Sequence, residues 1–190
     1  DIMAQLRNVA GVQAVSGRTL IEGMAASPIS SFGVKIVGIV PDEAQQATKL
    51  PEKIIAGGYF DSDRKNPIVI GQKLATRLNL KLYSKIVLSF QGLDESLISV
   101  ACRVVGIFKT ESALFDEMNV FVLQDDLFRV LETTPIIHEI AIRTTSAQIM
   151  PQVAETLKAK YDNALVQTWK EIAPEIAIVS VMMLYLSYVF

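Results

Sequence analysis

Two side chains able to act as a nucleophile or a soft metal ligand occur once each in these 190 residues, Cys102 and His138. A thiolate beside an imidazole can attack an electrophilic carbon. As ligands they number two, and a structural zinc site wants four. Their sequence settings argue for duller roles. Ile98, Val100, Cys102 and Val104 alternate with Ser99, Ala101 and Arg103, which places Cys102 on the apolar face of a strand. His138 opens another strand at its edge. Asp116-Glu117 is the best acidic pair, but an acid in a loop commonly stabilises its own turn. Asp61 and Asp63, in the polar stretch DSDRK, fall short of a calcium-loop pattern. Trp169 reads as a packed aromatic. No nucleophile elbow, phosphate loop or dinucleotide-binding glycine pattern is present in the sequence. The expectation is a chain with no catalytic, cofactor-binding or metal-binding residues, and so no enzyme. The 18 basic residues are scattered over a chain of net charge −2, without the basic stripe that nucleic-acid binding requires.

The elements that would position these residues centre on Arg103–Leu131. Arg103–Phe108 is a β-branched, almost continuous apolar run, which suits a strand buried on both faces. Lys109–Ser112 breaks it. The stretch then reads as loop, a second strand at Met118–Leu123, and a short helix whose start holds Asp125 and Asp126, near free backbone N–H groups. Along the rest of the chain, a first helix ends near Ala10, before Gly11. Strands are expected at Val12–Met24 and Phe32–Val40, with a loop at Ala25–Ser31 between them. A helix-compatible stretch covers Asp42–Leu50. Pro67–Ile70 is a short strand, and Leu74, Ala75 and Leu78 mark a helix. Lys85–Phe90 and Ser96–Phe108 form a hairpin with its tip at Gly92–Glu95. Ile137–Arg143 is a strand and Ser146–Tyr161 a helix with Pro151 in its first turn. Asp162–Trp169 reads as a last strand. Val34–Ile39 echoes Cys102–Ile107, each with a glycine that would mark a bulge or a close backbone approach.

Hydrophobic residues make up 51% of the chain and charged residues 20%, which is apolar for a free soluble domain. Ile176–Phe190 carries no charge. Its 15 residues are fewer than the roughly 20 that a spanning helix needs. Three readings stay open: the approach to a transmembrane helix, a buried core helix, or an interfacial helix. The start at Asp1, inside a helical pattern and without an initiator Met, suggests a fragment or a processed product.

Six segments in order resemble the MacB-type periplasmic core domain of ABC-transporter permeases, the MacB, LolC/LolE and FtsX-like group. They are Val34–Pro41, Ile54–Phe60, Pro67–Leu80, Arg103–Thr110, Phe115–Val122 and Gln167–Glu175. The resemblance implies an α+β fold. A porter-like α/β subdomain would be built from both chain ends, 1–49 and 124–175. A mostly β subdomain would be inserted at 50–123, and 176–190 would approach a transmembrane helix. It implies a non-catalytic periplasmic domain in the bacterial inner membrane. This domain would pass ATP-driven motion to an envelope partner or cargo, in efflux or lipoprotein release. Implied partners are an ABC ATPase subunit or domain, a second permease copy or paralogue, and a periplasmic adaptor or lipoprotein carrier. No cofactor is implied. LolC-type relatives grip their carrier with a long hairpin. The matching hairpin here is short and would offer Phe90, Gly92 and Leu93. A free-standing periplasmic binding or adaptor module is the alternative.

Overall fold

Short β-branched runs bounded by glycine, proline and polar turns dominate the chain, and they fold as strands. The structure is a computed structural model that describes residues 2–60 and 63–172. The chain divides into two compact units, Asp1–Met3 with Ala14–Arg143, and Ala4–Gln13 with Thr144–Phe190.

The strands are β1 (Val12–Ala26), β2 (Ser31–Ile39), β3 (Ile54–Gly57), β4 (Pro67–Gly71), β5 (Lys85–Gln91), β6 (Leu97–Phe108), β7 (Asn119–Leu123) and β8 (Glu139–Thr144). In the first unit six of them close a ring. The pairings run β1–β2, β2–β7, β7–β4, β4–β6, β6–β5 and β5–β1. β2–β7 and β4–β6 are parallel and the other four pairs antiparallel. β3 hangs on β6, and β8 on β1. β1 and β2 come from the N-terminal segment and β4–β7 from the segment 50–123, so the ring uses strands from both sides of residue 50.

Alternation sends Val34, Ile36, Ile68, Ile70, Ile86, Leu88, Phe90, Cys102, Val104, Val120 and Val122 into one buried cluster inside the ring. A ring this small is filled by its own side chains. Two helices supply the rest of that cluster. α3 (Gln72–Arg77) follows β4 and adds Leu74 and Ala75, with Leu78 and Leu80 just beyond it. α5 (Gln124–Leu131) follows β7 and adds Leu127. β4 and β7 run antiparallel, so the two helices leave opposite ends of the ring.

A second cluster covers part of the ring's outer surface. Val37, Ile39, Val69, Val105, Phe108 and Phe121 point outward there. α2 (Pro41–Ala47) and the 3-10 turn Pro51–Lys53 lie over them, and Ala44, Leu50 and Ile54 complete the cluster. A register shift between Ile68 and Val69 in the β4–β6 pairing accommodates the change of facing at Val104-Val105. The neighbouring Gly106 is required by space, because a Cβ there would overlap the carbonyl of Gly58. This is the close approach that the glycine in the strand pattern anticipated.

In the second unit α6 (Met150–Lys160) buries Val153, Ala154 and Leu157, and Pro151 sits in its first turn. Thr145 N–H donates to the Gly11 carbonyl at 3.0 Å, and the Tyr161 hydroxyl bonds Gln5 at 3.3 Å.

Three expectations change. The first helix, α1 (Ile2–Arg7), stops earlier than Ala10. The segment before β7, expected as a loop, is α4 (Ala113–Met118). Ser112 caps it by accepting the Phe115 N–H at 3.2 Å. Asp162–Thr168 pairs with no strand. Trp169 instead opens α7 (Trp169–Ile172), because Thr168 and Glu171 form a capping box in which the Glu171 carboxylate accepts from the Thr168 N–H and hydroxyl. No helix among the described residues is long and apolar enough to cross a membrane, and the expected approach segment 176–190 lies outside the described residues.

Candidate functional site: the β5–β6 hairpin

Lys85↔Arg103, Val87↔Ala101, Ser89↔Ser99 and Gln91↔Leu97 are opposed across β5 and β6 and share the outward face. The Ser89 and Ser99 hydroxyls meet at 2.8 Å. The tip is held by its own polar groups. Gly92 N–H donates to Ser96 O at 2.8 Å and Glu95 N–H to Gly92 O at 3.1 Å. The Asp94 carboxylate accepts from the Ser96 N–H and hydroxyl at 3.1 and 2.6 Å, which holds its carboxyl below the usual range. Glu95 takes the left-handed conformation, φ 65°, that closes the turn.

The three residues expected to meet a partner separate here. Phe90 is 2% exposed and packs inside the ring, so its side chain is not on offer; alternation from Ile86 and Leu88 turns it inward. Gly92 lies in the turn. Leu93 is 68% exposed. Leu97, which was not singled out, is 78% exposed. Its parity with Ser99, Ala101 and Arg103 was the signal, because a leucine on the polar face of an alternating strand has no core to enter.

The residues with reactive chemistry lie apart from this tip. Cys102 is 4% exposed, and burial pushes its thiol up to about 12. It lines a cavity of about 20 Å³ beneath α5, with Asn66, Pro67, Leu88 and Asp126, large enough for about one water. His138 is exposed and accepts the Leu20 N–H through Nδ1 at 3.2 Å. Asp116 is 3% exposed and accepts from the Thr110 N–H at 3.0 Å and the Thr110 hydroxyl at 2.7 Å, tying down the β6–α4 connection as a turn acid does. Glu117 pairs with Arg77 at 2.5 Å, and Arg77 also lies 4.1 Å over the Phe32 ring. Trp169, expected as packed, is 44% exposed in α7. Arg64 stacks 4.4 Å over Tyr83. Among the described residues no three His, Cys, Asp or Glu side chains gather closely enough to hold a metal ion.

A strand ring with its helices shares its fold with the extracytoplasmic domains of ABC-type transporters. The extracellular domain of the noncanonic ABC-type transporter YknZ from Gram-positive bacteria superposes with a TM-score of 0.56 at 17% identity, covering 86% of this chain and 84% of that one. The periplasmic region of MacB from Actinobacillus actinomycetemcomitans gives 0.54 at 14% identity, covering 84% and 72%. A permease-protein domain from Porphyromonas gingivalis gives 0.51 at 16%, covering 85% and 75%. No curated protein matches the sequence. The sequence itself matches the MacB-like periplasmic core domain over residues 1–160, and the chain belongs to that family. It is therefore a periplasmic-type domain of a MacB-like ABC-transporter permease.

Proposed function

We propose that this domain is a mechanical relay. It would receive the movement that an ABC ATPase produces and present it to an envelope partner or cargo through the β5–β6 hairpin. The family match over residues 1–160 carries this reading. The hairpin supports it, because Leu93 and Leu97 project from a tip braced by five residues of hydrogen-bonded turn and rooted in the ring. A braced apolar tip transmits displacement as a rigid element. The native permease would sit in the bacterial cell membrane with this domain on its periplasmic side, working with an ATPase subunit and a second permease copy or paralogue. Efflux and lipoprotein release are both served by such a relay.

The test is a pull-down with antiserum to this domain from detergent-solubilised host membranes, beside a carbonate wash of a parallel membrane sample. The expected result is a membrane-retained polypeptide that brings down an ATPase. Recovery of the antigen in the wash, with no ATPase, would refute the relay and favour a free-standing binding module.

A further inference from the structure

On the outward face of β6, Arg103 lies between two chain segments that each carry cations. On the β5 side the register sets Lys85 directly opposite it, and both are exposed. On the β4 side the Arg103 N–H donates to the Asn66 carbonyl at 3.0 Å, just after Arg64 and Lys65. The Arg103 guanidinium donates to the Tyr83 carbonyl at 2.9 Å. Arg64 reaches over from the opposite segment and stacks 4.4 Å from the centre of the Tyr83 ring. Lys81 stands one tight turn before Lys85, with its N–H on the Ser84 hydroxyl at 2.9 Å. Two left-handed residues shape the segments, Asn66 at φ 48° and Tyr83 at φ 64°. That conformation is an outlier for a bulky residue, and Tyr83 is 51% exposed, so core packing does not explain it.

The fold thus gathers Arg64, Lys65, Lys81, Lys85 and Arg103, all exposed, from three separate stretches of a chain whose net charge is −2. In residues 63–67 and 81–85 the one acid is Asp63. Lys65, Lys81, Lys85 and Arg103 enter no ion pair among the described residues. Neighbouring acids are engaged or distant. Asp126 holds Arg129 at 2.7 Å. Glu22, on the same outward face, lies opposite Lys35 and one position beyond the Gly23–Phe90 pair, roughly 20 Å along β5 from Lys85. Asp94 and Glu95 lie farther out in the turn. Like charges opposed across two strands repel, so the bare Lys85–Arg103 pair is destabilising, and an anion between them reverses the sign.

We propose that this patch binds the phosphoryl groups of an anionic ligand. An arginine fork matches two phosphate oxygens, and a lysine supplies a mobile point charge. The Tyr83 carbonyl anchors Arg103, whose remaining N–H groups meet the ligand together with Lys85 Nζ. Several cations in one patch favour a ligand with more than one phosphoryl group over a single ion. A lipid headgroup surface and a soluble polyphosphate present that same chemistry. The inference goes beyond the relay and does not rest on it.

The experiment is calorimetric titration of the 190-residue chain with inorganic tripolyphosphate, beside sedimentation with phosphatidylcholine vesicles made with and without phosphatidylglycerol. Tripolyphosphate is expected to bind the parent and the control Lys73→Gln, an exposed position on α3, equally well. Lys85→Gln with Arg103→Gln should bind at least about tenfold more weakly, because two charge-assisted contacts are lost. Arg103→Lys, which keeps the charge and loses the fork, should fall between them. Binding should weaken as salt rises. The double variant should melt no lower than the parent, since the substitution removes a repulsion, and this separates lost binding from lost folding. Tripolyphosphate binding without vesicle sedimentation supports a soluble ligand. Sedimentation that needs phosphatidylglycerol and is lost in the double variant supports a lipid headgroup. Binding of neither probe, or equal binding by the double variant and Lys73→Gln, would overturn the inference.

Discussion

Replacing Leu127 with alanine tests whether α5 closes one end of the ring. Leu127 is 5% exposed and belongs to the cluster inside the ring, against Leu88, Phe90 and Val122 around the cavity under α5. Removing three carbons forfeits about 2 kcal/mol of transfer free energy at about 0.8 kcal/mol per methylene. The space left is roughly 80 Å³, and at about 24 cal/mol per Å³ an unrelaxed void costs about 2 kcal/mol more. The ring walls are hydrogen-bonded on both sides and cannot collapse inward, but α5 has only eight residues and can settle part of the way. We expect a loss of about 3 kcal/mol, or about 6–12 °C in Tm for a chain of this size. The assay is urea and thermal unfolding of the 190-residue chain followed by circular dichroism, with Leu93→Ala as the exposed control within about 0.5 kcal/mol of the parent. A Leu127→Ala loss under about 1 kcal/mol would refute the closure, because the side chain would then have been packing against nothing rigid.

Three further outcomes follow from single residues. Gly71→Ala should be among the most damaging small substitutions, by about 2–3 kcal/mol in urea unfolding, since its Cβ would overlap the backbone of Asp116. Asp116→Ala should cost about 2–3 kcal/mol and Asp116→Asn less, because the amide oxygen still accepts from Thr110; equal losses in the same assay would contradict the role given to the carboxylate. With its thiol raised from 9.0 to about 12, Cys102 should react with a disulfide reagent at pH 8 about 1,000-fold more slowly in the folded chain than in guanidinium, as followed by absorbance. The sign is fixed by burial. The thiolate is the disfavoured form, so folded-state labelling should rise with pH until the chain unfolds.

The strands of the ring were legible in the sequence in two ways, by period-two alternation in β5 and the first half of β6 and as short apolar runs buried on both faces in β4 and β7, and alternation alone places Cys102 on its buried face. The helix at Ala113–Met118 was harder to see. It is six residues long, and its start rests on one serine side chain rather than on a repeating stripe. Asp162–Trp169 contains branched and aromatic residues but pairs with no strand, and a capping box decided its end locally. Phe90 is expected at a contact only through the resemblance of its hairpin, whereas its parity with Ile86 and Leu88 turns it inward. Leu97 shows the reverse. The closure of the ring was beyond sequence reading, since it depends on β1 pairing with β2 and β5 at once, through residues 23–26.

A relay must move when ATP is turned over. Lys73 is exposed on α3 and suits a spin label. With Lys73→Cys labelled in the reconstituted permease and its ATPase, pulsed electron resonance measures the distance between the two copies. The distance distribution should shift by several ångströms between the nucleotide-free and ATP-trapped states. Superimposable distributions in a preparation that hydrolyses ATP normally would contradict it.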